Sequence, residues 1–213
     1  MTKAVIFDMD GTLIDTEKYY RICWPKSLEA FGYHMTDEQA LSMRSLGRPF
    51  SEERLKDWFG PKIDYQATRE KRKELVQAYI DREGISLKPG AKEILQTLRK
   101  MHITAAIATA TDPERTEQCL RKAGIYDGFA RICSATMVKQ GKPAPDIYLY
   151  ACEQLGLPPG ECMAVEDSPN GVLAAYRAGL KVVMVPDQTE PDEELKKCLY
   201  ARVDTLFDIK DLL

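Results

Sequence analysis

Four short apolar runs punctuate the chain: Ala4–Phe7, Ile103–Ala108, Cys162–Val165 and Val182–Val185. Runs of this kind, largely without polar alternation, predict strands buried on both faces, as in parallel sheets. A weaker strand is predicted at about Ala130–Ser134. Between the runs the apolar spacing turns helical, over Ala91–Met101, Pro113–Ala123, Asp146–Leu155 and Gly171–Ala178. Pro89-Gly90 opens the first of these helices, Pro113 stands in the first turn of the second, and Gly124, Gly156 and Gly179 follow three of the ends. Strands alternating with helices of this length predict right-handed crossovers and a doubly wound parallel α/β sheet with a Rossmann-like core.

Residues 17–88 break the rhythm. They carry helical patterns at about Glu17–Phe31, Asp37–Ser45, Ser51–Phe59 and Tyr65–Gly84, with no strand among them. This predicts an inserted helical domain over residues 17–88 and a core formed by residues 1–16 and 89–213. The charge-rich stretch Thr68–Arg82 reads as a helix face with solvated charges.

Composition narrows the function classes. A chain of 213 residues with 44% hydrophobic and 30% charged residues has enough apolar material for a core and is not a mainly disordered chain. Thirty Lys+Arg against thirty-three Asp+Glu leave a net charge of −3, with no basic stripe for a nucleic-acid backbone. The apolar runs are far shorter than the roughly 20 residues that span a bilayer, and the first residues lead straight into a strand. A cytoplasmic, soluble protein that binds neither nucleic acid nor membrane is expected, with a monomer as the default. Cys23, Cys119, Cys133, Cys152, Cys162 and Cys198 form no metal-ligand spacing and predict free thiols. His34 and His102 are the only histidines, too few for a zinc site or a Ser/His/Asp triad.

The chemistry lies where the strands stop. In open parallel sheets, ligands bind beyond the carboxyl ends of the strands. The first strand runs into Asp8-Met9-Asp10-Gly11-Thr12, the second into Thr109-Ala110-Thr111, and the third into Glu166-Asp167-Ser168; Lys142 follows the weak strand between Gly141 and Pro143. Each residue alone has a plainer reading. Asp8 could be a solvated loop residue, Thr109 a helix cap, Lys142 a surface lysine, and Glu166-Asp167 a pair favouring the next helix N-terminus. Their conjunction at one sheet edge points to function. Carboxylates packed so closely are relieved by protonation or a cation, and oxygen donors without His or Cys suit Mg²⁺. A cation with a lysine and a hydroxyl nearby makes a site for a phosphoryl group, and an aspartate can attack phosphorus to give an acyl phosphate.

These segments also resemble a known set of motifs. Phe7-Asp8-Met9-Asp10-Gly11-Thr12-Leu13-Ile14-Asp15-Thr16-Glu17 is similar to the first motif of the haloacid dehalogenase-like hydrolase superfamily. Thr109, then Gly141-Lys142-Pro143, then Val165-Glu166-Asp167-Ser168-Pro169-Asn170-Gly171 resemble its second, third and fourth motifs, in order. The helical insert is similar to the small α-helical cap of the β-phosphoglucomutase-like and phosphatase branch. The resemblance implies Asp8 as nucleophile and Mg²⁺ ligand, and Asp10 as general acid/base that also binds Mg²⁺ through its backbone carbonyl. It implies Thr109, Ala110 and Lys142 as the phosphoryl-binding residues, and Asp167 with Glu166 as further metal-site carboxylates. The expected activity is Mg²⁺-dependent hydrolysis of a small phosphorylated metabolite, such as a sugar phosphate, through an aspartyl phosphate.

Two rivals stand beside it. A phosphosugar mutase of the same branch would carry a histidine early in the first cap helix, where this chain has Tyr20, and a cap arginine at a spacing that Arg48 does not match. A phosphoryl-accepting signalling module would place the acidic pair first and the acceptor later, the reverse of the order here. Arg44, Arg48 and Tyr20 are the candidates for substrate selection, with helical arginines expected to be solvated.

Overall fold

The computed structural model describes residues 2–213. At its centre lies β1 (Ala4–Phe7), whose four residues are all fully buried. Parallel partners flank it on both sides, β2 (Thr104–Thr109) and β4 (Cys162–Glu166). With β3 (Arg131–Ser134), β5 (Lys181–Met184) and β6 (Ala201–Arg202) the sheet has six strands in the order β3-β2-β1-β4-β5-β6, every pairing parallel. The doubly wound α/β architecture expected from the apolar runs is therefore present. The order reverses between β2 and β4 across β1, which puts a crevice at the carboxyl end of β1.

Side chains alternate between two cores, following the period of two along a strand. Val5 and Phe7 with Ile107, Val165 and Val183 face α5 (Ala91–Lys100) and α6 (Pro113–Lys122), where Ile94, Leu98 and Leu120 meet them. Ala4 and Ile6 with Ala106, Ala108 and Ala164 face α7 (Asp146–Leu155) and α8 (Pro169–Arg177). The run of alanines on that second face lets α7 and α8 lie close to the sheet, with Tyr148, Ala151 and Ala174 filling the contact. Each large apolar side chain buried in this way contributes roughly 1.5–3 kcal/mol.

Between β1 and α5 stand α1 (Glu17–Glu29), α2 (Asp37–Ser42), α3 (Phe50–Phe59) and α4 (Tyr65–Glu83). They build an apolar cluster of their own from Trp24, Leu28, Met35, Leu55, Ile63 and Tyr65. The chain enters and leaves this segment at one place. There Asp15 N–H donates to the Ser86 carbonyl (2.9 Å) and Lys88 N–H to the Leu13 carbonyl (2.9 Å).

Differences from the sequence reading sit at element ends. Helix α8 starts at Pro169, because the Ser168 hydroxyl caps it by accepting from Gly171 N–H. Helix α2 stops at Ser42 rather than Ser45, and Ser45 takes a left-handed conformation, φ 52°. The edge strand β6 was not foreseen, since two residues show no periodicity. All six cysteines are free, five of them buried. No helix among the described residues is long and apolar enough to cross a membrane.

Candidate active site

The loop after β1 is pinned before any side chain acts. Asp8 N–H donates to the Val165 carbonyl (2.9 Å), and Gly11 turns the chain at φ +84°. A Cβ at Gly11 would lie 2.5 Å from Asp167 Oδ2, so the glycine is what lets that carboxylate reach the loop. Asp8, Lys142, Glu166 and Asp167 are each at most 2% exposed.

Lys142 ties the group together. Its Nζ lies 2.5 Å from Asp8 Oδ1 and 2.5 Å from Glu166 Oε1. Burial alone would push its ammonium down, but the carboxylates of Asp8 and Glu166 outweigh burial and hold it above the ordinary lysine range. Glu166 is well satisfied. Tyr148 donates its hydroxyl to Oε1 (2.6 Å), while Oε2 accepts from Asp167 N–H (3.3 Å) and the Ser168 hydroxyl (3.5 Å). Asp8 is not satisfied, for its Oδ2 is buried without a partner. Burial raises Asp8 well above the usual carboxylate range, Lys142 opposes this, and Glu166 and Asp167 add to it.

Asp167 takes the Thr12 hydroxyl on Oδ1 (3.2 Å) and Arg44 Nη2 on Oδ2 (2.7 Å). Burial pushes its carboxyl up to about 6 against the pull of Arg44, with Glu166 and Asp187 helping. Arg44 corrects an expectation. Instead of a solvated helical arginine it is 2% exposed, because α2 has ended and the left-handed Ser45 turns the chain toward the sheet. Its Nη1 also reaches Thr189 Oγ1 (3.0 Å). Glu17, the last residue of the first motif, is buried beside this pair; burial raises its carboxyl, and Asp167 adds while Arg44 opposes.

Asp10 stands apart from that cluster. Its two oxygens accept the hydroxyls of Thr16 (2.5 Å) and Thr111 (2.8 Å). With its own proton given to Asp10, Thr111 Oγ1 accepts from the Tyr20 hydroxyl at 3.4 Å. Thr109 is buried and orients the same loop, its Oγ1 accepting from Thr111 N–H (3.1 Å).

Above these residues opens a cavity of about 560 Å³, within the range of small-molecule sites. Asp8, Asp10, Thr109 and Ala110 form its floor, and Tyr20, Trp24, Arg48 and Arg72 belong to its walls. Lys142, Glu166 and Asp167 lie outside the lining and contact Asp8 or one another from behind. Besides the Arg44 side chain, the helical segment meets the core through main chain. Gly47 N–H donates to the Lys142 carbonyl (2.8 Å) and Gly141 N–H to the Arg48 carbonyl (2.7 Å). A Cβ on Gly47 would meet Gly141 Cα at 2.5 Å, and one on Gly141 would meet Gly47 Cα at 2.7 Å.

The donor set suits a divalent cation. Asp8, Glu166 and Asp167 each offer a carboxylate oxygen, all within 4.8 Å of one another, and the orphaned Asp8 Oδ2 lacks the partner a cation would supply. Hard oxygen donors alone fit Mg²⁺. The Asp10 carboxylate lies outside this trio, occupied by its two hydroxyls.

The sequence-derived residues thus gather at one point: Asp8, Asp10, Thr109 and Ala110 on the cavity floor, with Lys142, Glu166 and Asp167 behind it. Sequence reasoning missed Tyr148, Thr111, Arg115 and Arg72. Thr111 had a signal in its place at the β2 end, whereas Tyr148 and Arg72 lie within helices whose patterns mark nothing.

The wider likeness agrees with this geometry. Residues 2–179 match the haloacid dehalogenase-like hydrolase family, and the chain belongs to that family of enzymes. It is 32% identical over 191 residues to the putative phosphatase YhcW of Bacillus subtilis, covering 88% of this chain and 85% of that one. The β-phosphoglucomutase of the same organism is 30% identical over 191 residues, covering 86% and 83%. Among solved structures, CbbY from Rhodobacter sphaeroides in complex with phosphate superimposes with a TM-score of 0.81 at 26% identity, over 98% of this chain and 96% of that one.

Proposed function

We propose that the chain is a Mg²⁺-dependent phosphatase of small phosphorylated metabolites, sugar phosphates foremost, working through a covalent phosphoryl group on Asp8. The observation that carries this is Asp8 itself, with one oxygen held by Lys142 at 2.5 Å and the other buried and free. Asp8, Asp167 and the Asp10 backbone carbonyl would hold Mg²⁺, with Glu166 fixing Lys142 from behind. Bound there, the cation supplies neutralisation of phosphoryl charge.

Asp8 forms the new bond to phosphorus as the bond from phosphorus to the sugar oxygen breaks. Lys142, Thr109 and the Ala110 N–H hold the phosphoryl oxygens during that transfer. Asp10, aimed by Thr16 and Thr111, gives the leaving oxygen its proton. In the second step the Asp10 carboxylate takes a proton from water as the water oxygen attacks phosphorus, releasing phosphate and restoring Asp8. Residues 17–88 act as a cap, hinged near Thr16–Glu17 and Leu87–Pro89, that excludes water while the Gly47–Gly141 contact is closed.

The mutase reading rests on the β-phosphoglucomutase likeness, and the Tyr20 hydroxyl bound to Thr111 speaks against it, since a tyrosine replaces the histidine of that branch. Phosphate release from sugar phosphates, measured with Mg²⁺ and after exhaustive chelation, tests the assignment. Release should vanish on chelation, and Asp8→Asn should lose about 10⁴-fold or more. Asp10→Asn should give a burst of one equivalent of nitrophenol from nitrophenyl phosphate and then stall. Full activity without a divalent ion, or sustained turnover by Asp8→Asn, would overturn the proposal. Isomerised sugar phosphate without phosphate release would favour the mutase.

A further inference from the structure

The loop after β5 meets the helical segment at three consecutive residues. Strand β5 ends at Met184, Val185 N–H donates to the Glu166 carbonyl (2.8 Å), and Pro186 has no N–H to prolong the ladder. The next three residues are half-buried, and each accepts from a different cation of residues 17–88. Asp187 Oδ1 takes the Lys88 ammonium (2.7 Å), Gln188 Oε1 takes Arg21 Nη1 (3.0 Å), and Thr189 Oγ1 takes Arg44 Nη1 (3.0 Å). None of these six residues lines the cavity. Their contacts therefore act on the seating of the segment and not on a bound molecule.

The three contacts differ in kind. Lys88 is the last residue of the segment, and its N–H is held by the Leu13 carbonyl (2.9 Å). Its ion pair with Asp187 thus sits at the hinge, where a swing of the segment moves the partners least. Arg21 and Arg44 lie beyond the hinge, on α1 and after α2. Their charges are already met, Arg21 Nε by Asp37 (2.7 Å) and Arg44 Nη2 by Asp167 (2.7 Å). Gln188 and Thr189 add neutral acceptors to these paired cations. Such bonds give direction without burying a further charge, so they can be made and released. Gln188 joins the two kinds, since its Nε2 donates to Asp187 Oδ2 (3.3 Å) while its Oε1 holds Arg21. Thr189 reaches furthest, because the Arg44 that it holds also bonds the Asp167 carbonyl (2.8 Å).

We propose that Asp187, Gln188 and Thr189 form the seat of the helical segment: Asp187 fixes its pivot at Lys88, and Gln188 and Thr189 are positioning residues that catch Arg21 and Arg44 when it closes. The inference rests on the reading of residues 17–88 as a cap over a phosphatase site. The closed angle is then set by a core loop remote from the motif residues, and the catches decide how much of the protein stands closed. Once a substrate is bound beneath the segment, its own contacts add to the catches. Weaker catches therefore raise KM more than they lower kcat.

The test reads closure directly, by amide hydrogen exchange on the full chain. The Gly47 and Gly141 N–H groups bond across the join, to the Lys142 and Arg48 carbonyls, so they exchange when the segment lifts. The β1 amides report global unfolding. Gln188→Leu and Thr189→Val should each speed Gly47 and Gly141 by about tenfold, and together by roughly 100-fold, with β1 unchanged. Thr189→Ser, which keeps the hydroxyl, should match the parent. So should Glu190→Ala, in the same loop but bonded to Arg202. With a sugar phosphate and Mg²⁺, the double variant should show a KM raised about tenfold and kcat within about twofold of the parent. Parent exchange rates at Gly47 and Gly141 in the double variant would overturn the inference, as would β1 amides speeding equally. It would also fall if Thr189→Ser behaved as Thr189→Val, or if kcat dropped at unchanged KM. A parent that released no phosphate would sink the phosphatase reading, while the exchange rates would still decide for or against the seat.

Discussion

The two ends of the cavity differ in charge: carboxylates crowd the strand ends, while two guanidinium groups stand beside Tyr20 on the other side. Behind the floor, Asp8, Glu166 and Asp167 are met by Lys142 and Arg44, which bond them at 2.5–2.7 Å. Across the cavity, the Arg72 and Arg115 guanidinium groups lie 5.3 and 5.7 Å from the Tyr20 ring centroid, and against burial Asp10 and Asp112 help hold Arg115 above its ordinary value. Lys142 and Arg44 offset part of the negative charge behind the floor and leave Asp8 Oδ2 without a partner. The cations cross between the two segments: Arg44 comes from residues 17–88 to the strand ends, and Arg115 comes from α6 to the opposite wall.

The comparison can be broken hardest at Lys142. Lys142→Ala leaves Asp8 and Glu166 buried without their shared cation. Stability should fall by about 3–5 kcal/mol, read from denaturant unfolding, and phosphate release should disappear. A variant as stable as the parent would show that the floor is not balanced by this lysine.

Mg²⁺ sharpens the same end. At about a hundred times its Kd, Mg²⁺ should stabilise the fold by roughly 2.7 kcal/mol. The sign of its pH dependence follows from Asp167, whose folded carboxyl is raised to about 6. The folded metal-free protein keeps a proton there that the unfolded chain has lost, so metal-free stability falls as pH rises from the ordinary aspartate range through about 6. Protons leave the ligands over the same window, and the gain from Mg²⁺ grows across it. Thermal midpoints with and without Mg²⁺ should therefore differ more at pH 7.5 than at pH 5. A constant difference would count against metal at Asp167.

A smaller change is expected where the two ends meet. Gly141→Ala puts a methyl into the Gly47 backbone, so the cap should close imperfectly. We expect about a tenfold loss in kcat/KM, less than a full ångström of misplacement costs, with little change in thermal midpoint. The smallest effect should come from Glu190→Ala, which removes an exposed partner of Arg202 far from either end. It should cost under about 1 kcal/mol and leave phosphate release untouched.

How far the sequence could be read follows the same division. The floor was legible because a buried parallel strand announces itself as an unbroken apolar run, and the residue after it is placed by topology. Asp8, Asp10, Thr109, Glu166 and Asp167 were singled out in that way, and Lys142 by its place between Gly141 and Pro143 after the weak strand. The cap side of the cavity was not legible. Arg72 looks like one more cation in a charged helix, and it turns inward because α4 packs on α1, a tertiary fact with no local sign. Arg44 leaves its helix through a left-handed serine, which apolar spacing does not report. Tyr148 is hidden among the apolar residues of α7, its ring part of the core and its hydroxyl part of the site.

The clasp between Gly47 and Gly141 uses main-chain groups on both sides, so it carries no side-chain identity. It works as a standard fitting. Beside it the same segment adds a side-chain tie, Arg44 to Asp167. Lys142 belongs to both halves of this arrangement, offering its carbonyl to the fitting and its ammonium to Asp8. The join that seats the helical segment and the bond that holds the Asp8 oxygen therefore pass through one residue, so a shift in either is felt by the other.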